Sequence, residues 1–249
     1  MKINRENNIK VFNQDVKKNA GYIYTDDKFF SAKIATSKQT EQLVKLIKKY
    51  FPEKIKILDI GCGDGKHTVE LYKLTHPHLI MGIDPAKEAI SVARRKIENK
   101  YKNKIEFRVG NIYDIDKLFY KGQFDLVVIR GVLHHLYDPV NAIKRISGIF
   151  SSVIIIEANG YNPILKIIEK VSLYHLEHEE KSYWPPLLNQ WFREQGYQAI
   201  SEHYAGIVPY FCPDYMAKSL KFIEPLFENI PLLNRLYCAC NYILYQKYE

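Results

Sequence analysis

Several things are scarce in this chain of 249 residues. Its four cysteines, Cys62, Cys212, Cys238 and Cys240, form no CxxC pair and no metal-ligand spacing, which argues against a disulfide framework or a zinc site. Small apolar thiols are expected instead, with Cys238 and Cys240 on one face of a strand. HExxH is absent, and His175 and His178, three apart, do not make a metal site by spacing alone. Apolar runs such as Val153–Ile156 and Leu126–Ile129 fall far short of the roughly 20 residues that a bilayer-spanning helix needs. The opening stretch MKINRENNIKVF holds no apolar signal segment, so a cytoplasmic protein is expected. No repeat or low-complexity tract interrupts the chain.

What is present points to a globular protein with a real core, 47% hydrophobic and 26% charged. The net charge of +8 comes largely from lysines scattered over helix-like segments. A nucleic-acid footprint should be clustered and rich in arginine, so nucleic acid is not the expected partner.

Short β-branched runs alternate with helical patterns from residue 36 on, the mark of an α/β protein with a mostly parallel sheet. Strands are expected at 55–60, 79–83, 105–109, 124–129 and 152–157, with two late ones at 197–204 and 236–246. Thr36 with Gln39 reads as a capping box ahead of Leu43, Leu46, Ile47 and Tyr50, with Pro52 ending that helix. Asp84-Pro85, Asp138-Pro139 and Asn162-Pro163 read as helix starts. A helical insertion, 209–234, carries Met216, Leu220, Ile223, Phe227 and Ile230 at helical spacing and should kink at Pro225. Such an insertion can cover a substrate pocket, mediate dimerisation, touch a membrane surface or, as is commonest, simply pack on the core.

The most informative segment is ILDIGCGDGKHT, 57–68. A strand ending in an acid, then three alternating glycines and a helix, lets the backbone approach a ligand closely. The helix N-terminus adds unpaired N–H groups suited to a carboxylate or phosphate. A dinucleotide site uses the same physics. Two details argue against one: the glycines follow GxGxG rather than GxGxxG, and Asp59 lies two residues before the first of them.

With these features the sequence resembles class I S-adenosylmethionine-dependent methyltransferases, of the bacterial small-molecule group of types 11 and 25. The resemblance runs through Asp59, Gly61, Gly63 and Gly65, Asp84, Asn111 and FDLVVIRGVLHHLYDP, over about residues 40–160. It implies a doubly wound Rossmann-like sheet of seven strands, with an N-terminal lid and the helical insertion before the last strand. One domain, 1–249, is expected, with lid 1–35, cofactor core 36–160 and acceptor-side elements 161–249.

The resemblance also implies roles. Gly61, Cys62, Gly63 and Gly65 cradle the methionyl part and ribose of S-adenosylmethionine, whose product is S-adenosylhomocysteine. Asp59 meets its amino end. Asp84 accepts from the ribose hydroxyls as well as starting a helix. Pro85 and Ile112 flank the adenine, and Asn111, where the family often has Asp, accepts from its amino group. Arg130, at the end of strand four, joins this set and would also favour an anionic acceptor.

Methyl transfer to a hydroxyl or amine needs a base near neutral pKa, and His134 or His135 suits that task at the sheet's carboxyl edge. Glu157 closes strand five there, to orient a histidine or bind the acceptor. Tyr22, Tyr24, Asn159, His175 and His178 are the candidate acceptor residues. The expected function is methylation of an oxygen or nitrogen of a small, anionic metabolite, such as a surface-glycan or capsule precursor (a sugar nucleotide or phosphoramidate). Two other readings stay open: a tRNA-nucleoside methyltransferase, and a non-catalytic SAM-binding subunit. The expected assembly is a monomer or homodimer.

Overall fold

A computed structural model describes residues 13, 14, 16, 21, 22, 29–171, 181–210 and 212–248. Tyr24, His175 and His178 lie outside the described residues, as does most of the expected lid.

All seven expected strands form, in one sheet: β1 Lys56–Ile60, β2 Leu79–Asp84, β3 Ile105–Val109, β4 Leu126–Arg130, β5 Ser152–Ala158, β6 Tyr197–Ala205 and β7 Cys240–Lys247. Their order is β3-β2-β1-β4-β5-β7-β6. β1 to β5 are parallel, whereas β7 runs antiparallel between β5 and β6. The chain steps outward from β1 to β3 and then returns to lay β4 on the other side of β1. That reversal opens a crevice at the carboxyl ends of β1 and β4, where ligands of such sheets bind.

Side chains alternate across the central strands. Ile57, Val128 and Ile154 face α1 (Phe30–Tyr50), α2 (Lys66–Thr75) and α3 (Lys87–Lys96). Leu58, Ile129 and Ile155 face the other layer, built by α4 (Ile115–Leu118), α5 (Pro139–Ser147) and α7 (Pro185–Glu194). The central strands are apolar throughout because both their faces are covered. β7 continues the division, with Tyr242 and Leu244 on the first face and Ile243 and Tyr245 on the second.

Local details correct three expectations. Thr36 is not a cap: it lies inside α1, where its hydroxyl donates to the Ala32 carbonyl. Asp84 does not cap α3 either, because Ala86 occupies that position, while Asp84 accepts from the Ala86 N–H at 2.8 Å. Cys238 and Cys240 do not share a strand, since Cys238 ends α9 (Pro231–Tyr237) and β7 begins at Cys240. In the insertion, α8 (Asp214–Asn229) runs on across Pro225. By contrast Asp138 caps α5 through the Asn141 N–H at 3.0 Å. Asn162 accepts from Ile164 and Leu165 at the start of α6 (Pro163–Val171).

The insertion is pinned to α1 by charge. Lys38, nearly buried, pairs with Glu224 at 2.8 Å and Glu228 at 3.0 Å. Glu224 and Glu228 also accept from the backbone of Ile207 and Gly206. No described helix is long and apolar enough to cross a membrane.

Ile154 lies at the centre of this packing with none of its surface exposed. Its replacement by alanine should cost about 2–5 kcal/mol in urea unfolding, whereas Ile167→Ala, at a position 62% exposed, should stay within about 0.5 kcal/mol.

Candidate active site

β1 ends in the acid Asp59, and the chain turns at once through Gly61, Gly63 and Gly65, all at positive φ (76°, 55° and 75°). A side chain at Gly61 would meet Val132 at 2.3 Å, and one at Gly63 would meet the Tyr22 ring at 2.8 Å. The glycines therefore serve both backbone shape and close approach. Ile83 accepts from the Gly61 and Cys62 N–H groups at 2.8 and 3.1 Å, and Asp84 Oδ2 accepts from Gly63 N–H at 3.0 Å. These bonds tie the turn to the end of β2.

An open-sided cleft lies along this turn. Tyr22, Asp59, Gly61, Cys62, Gly63 and Arg130 line it, together with Asp64 and His67. Tyr22 is buried beside Val16, Ala86, Ala89 and Val92, and its ring lies against Gly63. Gly65 sits behind the turn against Ala93 and Phe107. Ile112 is buried, and Asn111 gives its amide oxygen to the Tyr113 N–H at 3.0 Å. A second lone pair remains on that oxygen for the expected adenine contact.

The electrostatics are acidic and dry. Asp59, buried, accepts from the Thr68 hydroxyl at 2.5 Å, and burial raises its pKa. Burial likewise pushes the Asp84 carboxyl up to about 6, against the pull of the Ala86 and Gly63 N–H groups. Burial, reinforced by Arg130, lowers the pKa of His67, so this ring stays neutral. The Arg130 guanidinium bonds Thr40 Oγ1 at 3.3 Å through Nη2, and its Nη1 is buried without a partner.

A second cluster forms on the opposite face of the sheet. His134 and His135 fall in a short turn, 133–135, with ring centroids 4.0 Å apart. His134 Nδ1 lies 2.6 Å from Glu157 Oε2, while Glu157 Oε1 accepts from Val132 and Leu133 N–H at 3.0 and 2.8 Å. An ionised carboxylate only accepts, so Nδ1 carries the proton and Nε2 is the basic nitrogen of the neutral ring. Glu157 pairs in register with Asn241, and Asn241 with Tyr204, which sets the three side by side on one face.

Asn159 stands at the same edge but serves the backbone. Its amide donates to Arg235 and Cys238 carbonyls at 2.9 Å each and accepts from Tyr161 N–H. Arg130 lies across the sheet from His134, in the cleft with Asp59.

Sequence reading missed Asp64, His67, Thr68 and Thr40 in the first cluster and Asn241 in the second. Thr68 falls in the first turn of α2, three residues after the last glycine, a position from which a side chain can reach back to β1. Asn241 is fully buried with neither amide atom partnered. Its signal was a polar residue on the β7 face that otherwise carries Ile243 and Tyr245.

The sequence profile of the methyltransferase domain matches residues 52–201, more than half of the chain. The chain belongs to the methyltransferase family. The match extends past the expected 40–160 to take in α7 and most of β6. S-adenosylmethionine is the cofactor of this family, and the pocket suits it: buried carboxylates for hydroxyl and ammonium groups, and a turn open to close approach.

An uncharacterized methyltransferase of Schizosaccharomyces pombe is 38% identical over 104 residues, covering 39% of this chain and 37% of that protein. The O-antigen chain terminator bifunctional methyltransferase/kinase of Escherichia coli is 28% identical over 149 residues, 53% of this chain and 21% of that one. The chain thus matches well under half the length of either relative. The structure of magnesium protoporphyrin IX methyltransferase from Synechocystis, with bound S-adenosylhomocysteine, is similar with a TM-score of 0.68. Its identity is 14%, covering 98% of this chain and 100% of that one, a likeness of fold.

The folded chain keeps the Asp84 proton up to about pH 6, whereas an ordinary Asp releases it near 3.8. Protonation therefore favours the folded state, and this contribution, complete below 3.8, is lost as pH rises to 6. Urea unfolding of Asp84→Asn across that window should show a shallower fall of stability with pH than the parent protein.

Proposed function

We propose that this chain transfers the methyl group of S-adenosylmethionine to an oxygen or nitrogen of a small acceptor, with His134 as general base. The observation that carries this reading is the His134–Glu157 pair at the carboxyl edge, one strand away from the cofactor cleft. The cofactor supplies a methyl already activated by its sulfonium, so the protein's work is to position the acceptor and take its proton.

Glu157 holds the imidazole in the tautomer with Nε2 basic and stabilises the imidazolium once the acceptor's proton arrives. Val132 and Leu133 N–H groups hold that carboxylate in place. Tyr183, whose hydroxyl is pushed up to about 12 by burial and by the Glu157 charge, stays protonated beside it. It does not act as a second base in this scheme. Cys62 and Cys240, their thiols raised by burial, are not nucleophiles in this scheme.

The rim of the site supports a sugar-phosphate acceptor. Tyr161, Trp184 and Tyr204 meet edge to face, with centroids 5.9 and 6.2 Å from Tyr161. The exposed Arg235 guanidinium lies over the Tyr161 ring at 4.2 Å. Aromatic faces suit sugar rings and an arginine fork suits phosphate. Arg235 takes the place that sequence reading gave to Arg130 as the cation on the acceptor side, and Asn241 supplies a buried amide in the same row. The O-antigen relative is consistent with a surface-glycan precursor.

The test is methyl transfer from labelled S-adenosylmethionine to a panel of sugar nucleotides, sugar phosphates and tRNA. Transfer to a sugar-phosphate compound is expected. His134→Gln should lower kcat about 10²- to 10⁴-fold and leave S-adenosylhomocysteine binding intact. Transfer to tRNA instead, or full activity in His134→Gln, contradicts the reading.

A further inference from the structure

The helical insertion and α6 turn large apolar side chains toward solvent. On α8, Ala217 and Glu224 are buried against the body of the protein. The opposite side of that helix carries Tyr215, Phe222 and Leu226, at a spacing that aligns them on one stripe. Phe222 is 86% exposed and Tyr215 74%. Leu232 on α9 is 66% exposed, and Ile167 and Val171, one turn apart on α6, are likewise open to water. Neither α6 nor α9 has a buried residue. α6 packs on α9 and α9 on α8, so the three helices form one layer. Scattered exposed apolar side chains need no explanation, whereas a layer of this composition marks a surface that something apolar covers.

The charges of these helices point to the cover. Most of their acids are turned inward: Glu224 and Glu228 pair with Lys38 at 2.8 and 3.0 Å, and Glu169 accepts from the Ser182 N–H at 2.7 Å. Lys170, Lys218 and Lys221 are exposed, and Asp214 is the only exposed acid of the three helices. Lys218 reaches over the Phe30 ring at 5.5 Å and Lys221 to Glu224 at 2.6 Å, yet both stay open to water, where such contacts are weak. A second copy docked about a twofold axis would bring these lysines toward their own counterparts.

An anionic bilayer surface takes both features together. Aromatic and leucine side chains enter the boundary between headgroups and acyl chains, while lysine stems lie along it with their ammonium groups at the lipid phosphates. We propose that this layer is a docking surface for an anionic lipid bilayer, on which the protein sits peripherally with Phe222 and Leu226 in the interface. Such docking is independent of which acceptor is methylated. It needs no membrane-spanning helix, and no described helix is one.

Co-sedimentation of the full chain with two kinds of vesicle tests this: phosphatidylcholine alone, and phosphatidylcholine with an equal share of phosphatidylglycerol. The parent protein should partition onto the anionic vesicles about 10-fold or more better than onto the neutral ones, and added salt should weaken that binding. The Phe222→Ser, Leu226→Ser double variant should bind the anionic vesicles about 10- to 100-fold more weakly. Lys170→Gln, Lys218→Gln and Lys221→Gln together should remove most of the preference for the anionic vesicles while leaving weak neutral binding unchanged. All these positions are exposed, so the circular dichroism of the parent should be retained in both variants. Absence of vesicle binding by the parent protein overturns the proposal, as does equal binding to the two kinds of vesicle. Undiminished binding by the double serine variant also overturns it. A dimer in light scattering that the same variant abolishes would assign the layer to a second copy instead.

Discussion

The carboxyl edge of this protein depends on hydrogen bonds that cross from the end of β2 to the turn after β1. Ile83 receives two backbone N–H groups of that turn, and the Asp84 carboxylate receives a third, from Gly63. Three glycines at positive φ make the geometry possible, and Val132 and Tyr22 close over the space that side chains would fill. Asp84 is buried beside the glycine turn as a carboxyl with its pKa pushed up to about 6. Carboxyl groups with raised pKa values cluster at functional sites.

The sheet then divides the chemistry between its faces. Asp59, Thr68, Thr40 and Arg130 belong to the α1 and α2 side. Glu157, Asn241 and Tyr204 belong to the side covered by α5 and α7, and His134 reaches Glu157 from the loop after β4. The loop from Arg130 to His134 joins the two halves: Gly131 donates to the Ile156 carbonyl, Val132 packs on Gly61, and Val132 and Leu133 donate to Glu157. One short segment thus links the glycine turn to the proposed base.

Much of this was legible in the sequence because it rests on local rules. The apolar strands, the glycine spacing after Asp59, the acid ending β2 and the histidine pair after β4 each carry a short-range signature. The family match over 52–201 agrees with them. Misreadings arose where a residue type suits two local roles. Asp before Pro resembles a helix cap, but at Asp84 its side chain turns back to Gly63 and Ala86. Thr36 resembles a cap, but α1 begins at Phe30 and absorbs it. What could not be read was the outcome of strand pairing. The facing of Arg130 toward Asp59 rather than His134 follows from the parallel register of β4 on β1, whereas the use of Asn159 by the backbone of residues 235–238 and the row from Glu157 through Asn241 to Tyr204 follow from β7 inserting antiparallel beside β5. No local pattern encodes that neighbour.

The most direct measurement is calorimetric titration of the full chain with S-adenosylmethionine at pH 7.5, a condition on the order of a unit or more above the Asp84 transition. One cofactor bound per chain, with micromolar affinity that is lost in Asp84→Ala while the fold persists by circular dichroism, is the expected result. A well-folded parent protein that takes up no S-adenosylmethionine, or one whose affinity is untouched by Asp84→Ala, would contradict the assignment of the glycine turn as the cofactor site.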